Sequence, residues 1–571
     1  MAKNAGMSLD MSFGSILTER PDAAKPARFR IALMGDFSGR AAKGEVEIGA
    51  DLAKRRPIKL DVDTLEKVIA GFGTTLVLPI GKKGQGIEVE LGSIDDLHPD
   101  ELFEKVEMFA ELVALKRRLA SGSTAKGAVT ELREWGKEFG KKVSPPARSS
   151  AGNAVPADRK LTDFARLVGG KGKAKVAASP SDELLSRIVG PYIQALPDPN
   201  AAAMQEAVEE SLAGAMRLVL HHPEFQSVEA QWRMLDLITR SVETDAKLDI
   251  VLYDISAEEL AADLAAQEDL SQSGFCELLV EGTPDGRGKF SAVCGFYTFE
   301  ETPPHAELLG RIAKVCAHVN APFFGAISTG FMEVAKDDRH PLVAAAWNAL
   351  CAMPEAGFVG LASPRFLLRR PYGAKTDPIY EFDFEEFTEA EGLSGMLWAN
   401  PVALVVILLA RSFRKTGPSM GLGQVMSLGG MPFHYVKDRY GDQVALPCTE
   451  RNLTQTKTQA AIARGLMPVV SVKGRDEVRL ASFQSLAGST VLGPWSDVPP
   501  PKPKAEAPRA EADTEATDDD MAVADDMDSA DDDLAALLAG FDDATPDDDS
   551  AEDSGDAEEM DADLAALLAS L

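Results

Sequence analysis

Cysteine is scarce in this 571-residue chain, and the five present (Cys276, Cys294, Cys316, Cys351 and Cys448) include no CxxC pair. An odd set without paired spacing excludes a disulfide framework and fits the reduced thiols of a cytoplasmic protein. Long apolar runs are missing as well. The most apolar stretch, Pro401 to Ala410, is half of the ~20 residues that a membrane-spanning helix needs, and Arg411 and Arg414 close it. A buried helix is expected there, and no membrane insertion anywhere. Residues 1–18 carry one lysine and no apolar block of signal-peptide kind. Basic charge is also in deficit, with 59 Lys and Arg against 90 Asp and Glu, a net of −31. With seven tyrosines and no interleaving of basic and aromatic side chains, a nucleic-acid partner is not expected.

The motifs of covalent chemistry are absent too. No GxxxxGK[ST] phosphate loop occurs; Gly81–Gly86 and Gly421-Leu-Gly423 lack the strand-turn-helix setting and read as hairpin or loop glycine. No GxSxG elbow raises a serine, and no HExxH or Cys/His cluster supports a metal. His221 and His222 are adjacent, so their side chains diverge; they are expected to end the preceding helix, with Pro223 as its stop. Asp36, near Ser38 and between glycines, reads as a turn former. Trp232, Trp347 and Trp398 sit among apolar residues and are assigned to the core. The chain is therefore read as no enzyme, with no catalytic, cofactor-binding or metal residue and no cofactor.

What is present is an alternation of strand and helix patterns, which favours a mixed α/β (α+β) fold. Residues 1–27 are expected to be flexible, with a short helix at Leu9–Leu17. A small mixed domain spans 28–135. It opens on the apolar strand Phe29–Met34, and Ile58–Val62 and Ile87–Leu91 alternate as half-buried strands. A helix is expected near Thr64–Phe72. A longer one starts at His98-Pro-Asp-Glu101 and presents Leu102, Val106, Phe109 and Val113 on one face. Residues 136–200 are expected to form a linker; Lys141 to Pro180 is rich in Gly, Ala, Ser, Pro and Lys, with an apolar island at Leu161–Val168. The larger mixed-sheet domain covers 201–498. Its expected helices are Ala201–Leu220, Phe225–Ser241, Ala257–Gln267 and Glu307–Val319; its strands are Leu248–Leu252, Ser291–Phe296, Phe323–Ile327, Gly357–Leu361 and Pro468–Val472.

Residues 499–571 form an acidic tail expected to be disordered. It holds 25 Asp and Glu against Lys502, Lys504 and Arg509, a net of −22 that leaves only −9 for the rest of the chain. The tail contains an internal repeat, Asp533-Leu-Ala-Ala-Leu-Leu-Ala539, which recurs as Asp563 to Ala569. Each copy sets an Asp at an N-cap and gathers leucines on one side of a short helix. Low-complexity drift is the plain reading. The alternative is a pair of linear motifs that fold in a partner's groove, with Leu534, Leu537, Leu538, Leu564, Leu567 and Leu568 as the contacts.

Two stretches resemble known proteins. Residues 28–135 are similar to the small sheath subunit (TssB, or VipA) of the bacterial type VI secretion system, through Ile31-Ala-Leu-Met-Gly-Asp-Phe-Ser-Gly39, Pro57–Asp63 and Ser93–Glu101. Residues 201–495 resemble the large subunit (TssC, or VipB). The matching pieces are His221-His-Pro-Glu-Phe-Gln226, Gln231-Trp-Arg233, Phe358–Gly373, Met396–Asn400, Pro447–Glu450, Gly465–Val469 and Phe483-Gln-Ser485, in that order. The resemblance implies a sheath-protein fold and a structural, cytoplasmic role in a contractile sheath for protein secretion. The implied partners are other sheath subunits or further copies of this chain, the Hcp inner tube, baseplate proteins and a ClpV-type ATPase. In that family the large subunit continues past the Phe-Gln-Ser match, where this chain turns into its acidic tail. The alternative reading is therefore a non-polymerising cap, baseplate or accessory adaptor that recruits partners through the tail.

Overall fold

The computed structural model describes residues 11–18, 28–80, 86–119, 127–128, 130–131, 201–281, 289–388, 392–437, 440 and 443–496. The first strand, β1 (Phe29–Gly35), carries seven residues without a charge except Arg30, and every one is buried. A strand of that composition suits a sheet covered on both faces. After it come α1 (Arg40–Lys43), α2 (Ala50–Ala53), β2 (Ile58–Lys59) and α3 (Leu65–Phe72). The hairpin β3 (Thr74–Leu78) and β4 (Ile87–Leu91) and the helices α4 (Pro99–Lys105) and α5 (Glu107–Leu119) follow.

The second region starts with α6 (Ala201–Leu220) and α7 (Pro223–Ser241) and continues through β5 (Leu248–Asp254), α8 (Ala257–Ala266) and α9 (Gly274–Glu281). Then come β6 (Ala292–Phe299), α10 (Pro303–Val319), β7 (Phe323–Ile327), α11 (Pro341–Cys351), β8 (Val359–Ser363) and the short β9 (Phe366–Leu367) and β10 (Trp398–Ala399). The last elements among the described residues are α12 (Val402–Thr416), β11 (Ser427–Gly429), β12 (Tyr435–Lys437), β13 (Gln443–Ala445), α13 (Gln455–Ile462), β14 (Leu466–Ser471) and β15 (Glu477–Leu480).

Among the described residues, nine strands form one mixed sheet in the order β11-β15-β14-β8-β7-β6-β1-β5-β2. The six strands from β14 to β5 run parallel, and the edges are antiparallel. β1 lies between β5 and β6: Phe29 to Gly35 pair with Leu248 to Asp254, and Ile31 to Met34 with Ala292 to Gly295. The first region thus supplies an inner strand to the sheet of the second. Alternation along β1 serves two cores. Phe29, Ile31 and Leu33 join the layer built by α6, α7 and α12, while Ala32 and Met34 join that of α8, α9, α10 and α11. Helix α12, apolar on all sides from Val402 to Ala410, is buried there over its whole circumference, as its composition requires.

Most expected elements are present, with informative differences. Of the helix expected at Leu9–Leu17, the described residues 11–17 are not helical; Ser15 bridges Asp269 as a strand does, and so short a helix would not hold alone in water. The helix expected from Pro99 onward breaks at Val106, whose backbone is extended. The restart moves the buried face by one residue, so Leu112 and Leu115 are buried and Val113 is half-buried. His222 does not close α6. It caps α7, its Nδ1 accepting from Glu224 N at 3.3 Å, and Pro223 opens that helix. His98-Pro99 and His340-Pro341 start α4 and α11 in the same way. The apolar island at Leu161–Val168 lies outside the described residues.

Because β1 is internal to the sheet, damage to it must unfold both regions together. Leu33→Ala is expected to cost ~2–5 kcal/mol, the usual range for a fully buried leucine, and to shift a single urea transition to lower denaturant. A second transition that stays at the wild-type midpoint would show that the regions unfold independently.

Candidate assembly site

Two clusters of buried charge join the regions, each built on a carboxylate that the fold cannot leave unpaired. The first surrounds the carboxyl ends of β1 and β5. In doubly wound sheets a crevice at this end takes the ligand. Here the chain's own turn fills it. Asp254 Oδ1 accepts from Phe37 N at 2.8 Å and Ser38 N at 3.3 Å, and its Oδ2 accepts from the Ser38 hydroxyl at 2.6 Å. Asp36 accepts from Arg40 N at 2.5 Å and Ala41 N at 3.1 Å, the turn role expected of it. Gln231 Nε2 donates to Asp36 O and Trp232 Nε1 to Phe37 O, so α7 closes the crevice. Burial, with the nearby Asp254 and Glu258 charges, pushes the Asp36 carboxyl up to about 6.

Beside this turn, the fully buried Glu259 gathers the segment from Arg40 to Arg55. It accepts from Arg40 Nη2 at 3.0 Å, Arg55 Nη1 at 3.0 Å, Glu47 N at 3.1 Å and Ser256 N at 3.0 Å. Burial alone would raise this carboxyl; the hydrogen bonds from Arg55 and Arg40 outweigh it and hold the group below its ordinary range. Asp263 accepts from Gly49 N at 2.7 Å and from Gly274 N and Phe275 N, tying α2 to α9.

The second cluster lies under residues 369–388. Arg369 is forked between two buried carboxylates, with Nε to Glu229 Oε1 at 2.7 Å and Nη1 to Glu386 Oε2 at 2.6 Å. Arg233 donates to Glu229 Oε1 at 2.7 Å and to the Tyr372 hydroxyl at 2.7 Å. Tyr372 N donates to Glu386 Oε2 at 2.7 Å, and His221 lies 3.6 Å from the same carboxylate. Burial works against the Glu386 charge, but Arg369 and then His221 hold the carboxyl down at about 2. So anchored, the segment clasps the first region. Tyr380 N and Glu381 N donate to Asp100 Oδ1 at 3.1 and 3.3 Å, Phe382 stacks on Phe103 at 5.2 Å, and Tyr372 meets the edge of His98.

Among the described residues no three His, Cys, Asp or Glu side chains come together as a metal-ligand set, and no helix is long and apolar enough to cross a membrane. Four of the five cysteines are buried; burial pushes the Cys276 thiol up to about 12. Trp232, Trp347 and Trp398 are core residues as expected.

Comparison with known proteins meets this geometry region by region. Residues 20–135 match the type VI secretion system VipA family (VC_A0107 or Hcp2), and residues 202–487 match the VipB family, the EvpB/VC_A0108 tail sheath N-terminal domain. The chain belongs to the type VI secretion tail-sheath family. Sheath proteins are structural. A relative from Pseudomonas aeruginosa, "Type VI secretion system sheath protein TssC1", is 32% identical over 300 residues, covering 49% of this chain and 60% of the relative. The chain thus spans less than two thirds of that sheath protein's length. The six tail leucines Leu534, Leu537, Leu538, Leu564, Leu567 and Leu568 lie outside the described residues. Sequence reasoning missed Glu229, Glu259, Arg369 and Glu386. Arg369 stands within the family-like run Phe358–Gly373 and Glu229 just before Gln231-Trp-Arg233, but a partner 140 residues distant leaves no local mark.

The buried charges give stability a definite pH dependence. Glu386 drops from an ordinary 4.5 to about 2 on folding, so its contribution is complete above 4.5 and is lost as pH falls through 2. Asp36 acts in the opposite sense: raised from 3.8 to about 6, its contribution is complete below 3.8 and is lost as pH rises through 6. Glu386→Gln, which leaves Arg369 short of a charge, should cost ~3–5 kcal/mol at neutral pH and flatten the acid limb in denaturant titrations. Unchanged stability at pH 7 would remove the cluster from the account.

Proposed function

We propose that this chain is a structural subunit of the type VI contractile sheath that carries a small-subunit and a large-subunit region on one polypeptide and contributes to assembly or contraction around an inner tube. The observation that carries this reading is β1: a strand of the VipA-like region lies within the sheet of the VipB-like region, hydrogen-bonded on both sides. Joining the two regions fixes their ratio at one to one and gives each an effective concentration of roughly millimolar for the other. In this reading the chain works in the cytoplasm, performs no covalent chemistry and assembles with further copies or other sheath subunits. The Hcp tube, baseplate proteins and a ClpV-type ATPase are its proposed further partners. Electron microscopy of the purified chain, alone and with the inner-tube protein, tests this: helical tubules are expected. A particle that stays monomeric or dimeric under every such condition would instead favour the adaptor.

The acidic tail is proposed to recruit a partner through its two leucine motifs. Burying three leucines contributes roughly 4–8 kcal/mol at ~1.5–3 each. Ordering the segment takes back ~2–5 kcal/mol, so one copy binds weakly and two gain by linkage. Changing Leu534, Leu537 and Leu538 to Ser should weaken capture of sheath partners moderately, and changing Leu564, Leu567 and Leu568 as well should abolish it. Capture that survives both sets, yet disappears when the Asp runs are neutralised, would assign recruitment to charge alone.

A further inference from the structure

Residues 11–18 precede the stretch matched to the VipA family, and they pair with no strand of the nine-stranded sheet. They lie instead in a channel between α10 and the turn that follows α8. Ser15 N donates to Glu268 O at 2.9 Å, and Leu270 N donates to Ser15 O at 2.8 Å, a one-residue parallel bridge. Asp269 Oδ1 accepts from Leu17 N at 3.4 Å, and the Lys314 ammonium donates to Gly14 O. Met11 and Ile16 pack half-buried on the core beneath.

Two glycines define what fits. Gly310 is the only glycine of the 17-residue helix α10, and the Phe13 ring lies against it. A Cβ at Gly310 would stand 2.6 Å from Phe13 Cε1 and closer still to Cδ1. Glycine inside a helix costs ~1 kcal/mol against alanine, so the notch exists in spite of helix propensity. Gly14 has φ +67°, and a Cβ there would sit 3.0 Å from both Glu268 O and Leu270 Cγ. The channel floor is braced without the segment. Arg311, 9% exposed, donates Nη1 to Leu264 O at 2.9 Å and to Gln267 O at 3.1 Å, and Nη2 to Glu307 Oε1 at 3.1 Å.

We propose that the channel between α10 and the 267–270 turn is a peptide-binding site for an extended aromatic–glycine segment, and that residues 12–16 of this chain are its resident ligand. Recognition is by strand addition at Ser15 with the aromatic ring as anchor in the Gly310 notch. The inference stands apart from the sheath reading, since it uses no residue of either charge cluster. A tethered ligand acts at an effective concentration of ~mM, so a free peptide competes only when the resident anchor is removed.

The test uses the full chain and a fluorescent peptide of residues 11–18, read by polarisation. The Phe13→Ala chain should bind the peptide at least about tenfold tighter than the wild type, whose site is filled. Adding Gly310→Ala should abolish that binding while the melting temperature holds or rises, since alanine favours the helix. A peptide in which alanine replaces the phenylalanine should bind neither chain, a control that stands even if the Gly310→Ala chain folds poorly. No binding to a folded Phe13→Ala chain at millimolar peptide, or equal binding to all three chains, would overturn the proposal.

Discussion

The position of β1 constrains everything else. All seven of its residues pair with β5 and four of them, Ile31 to Met34, also with β6, strands that begin more than two hundred residues later. Withdrawn from that slot, it would leave rows of buried N–H and C=O groups on β5 and β6 without partners, a cost that no side-chain adjustment offsets. The alternating burial of its side chains compounds this, because Ile31 and Leu33 complete one core layer while Ala32 and Met34 complete the other. The two family regions are therefore parts of a single folded unit.

The charged clusters act at a second level. Buried ion pairs add little to stability compared with apolar packing of equal volume, yet breaking one is expensive. That asymmetry suits a latch. Glu259 accepts from Arg40, Arg55 and the Glu47 amide together, which fixes the path of residues 40–55 over α8. Arg369 between Glu229 and Glu386 fixes where residues 369–388 emerge, and hence where Tyr380 and Phe382 meet α4. The backbone of β1 joins the regions, and these carboxylates set the register of what surrounds it. The same crevice that holds a small molecule in other doubly wound sheets is thereby spent on holding the chain together.

Much of this was legible in the sequence, and the boundary between legible and hidden follows interaction range. Period-two and period-3.6 patterns depend on near neighbours, so β1, α12 and α10 stand close to where the residues alone put them. The family motifs, the buried tryptophans and the acidity of the tail are equally local properties. Tertiary structure alone decided that β1 inserts between β5 and β6, because backbone pairing in a covered sheet leaves no side-chain code for the neighbour. It also decided that Arg369 meets Glu229 across 140 residues, that Val106 breaks a continuous helical pattern, and that Phe13 enters a notch made by Gly310. Apart from the break at Val106, each of these joins groups whose separation along the chain exceeds any local period, and only the packed core brings them within hydrogen-bonding or van der Waals reach.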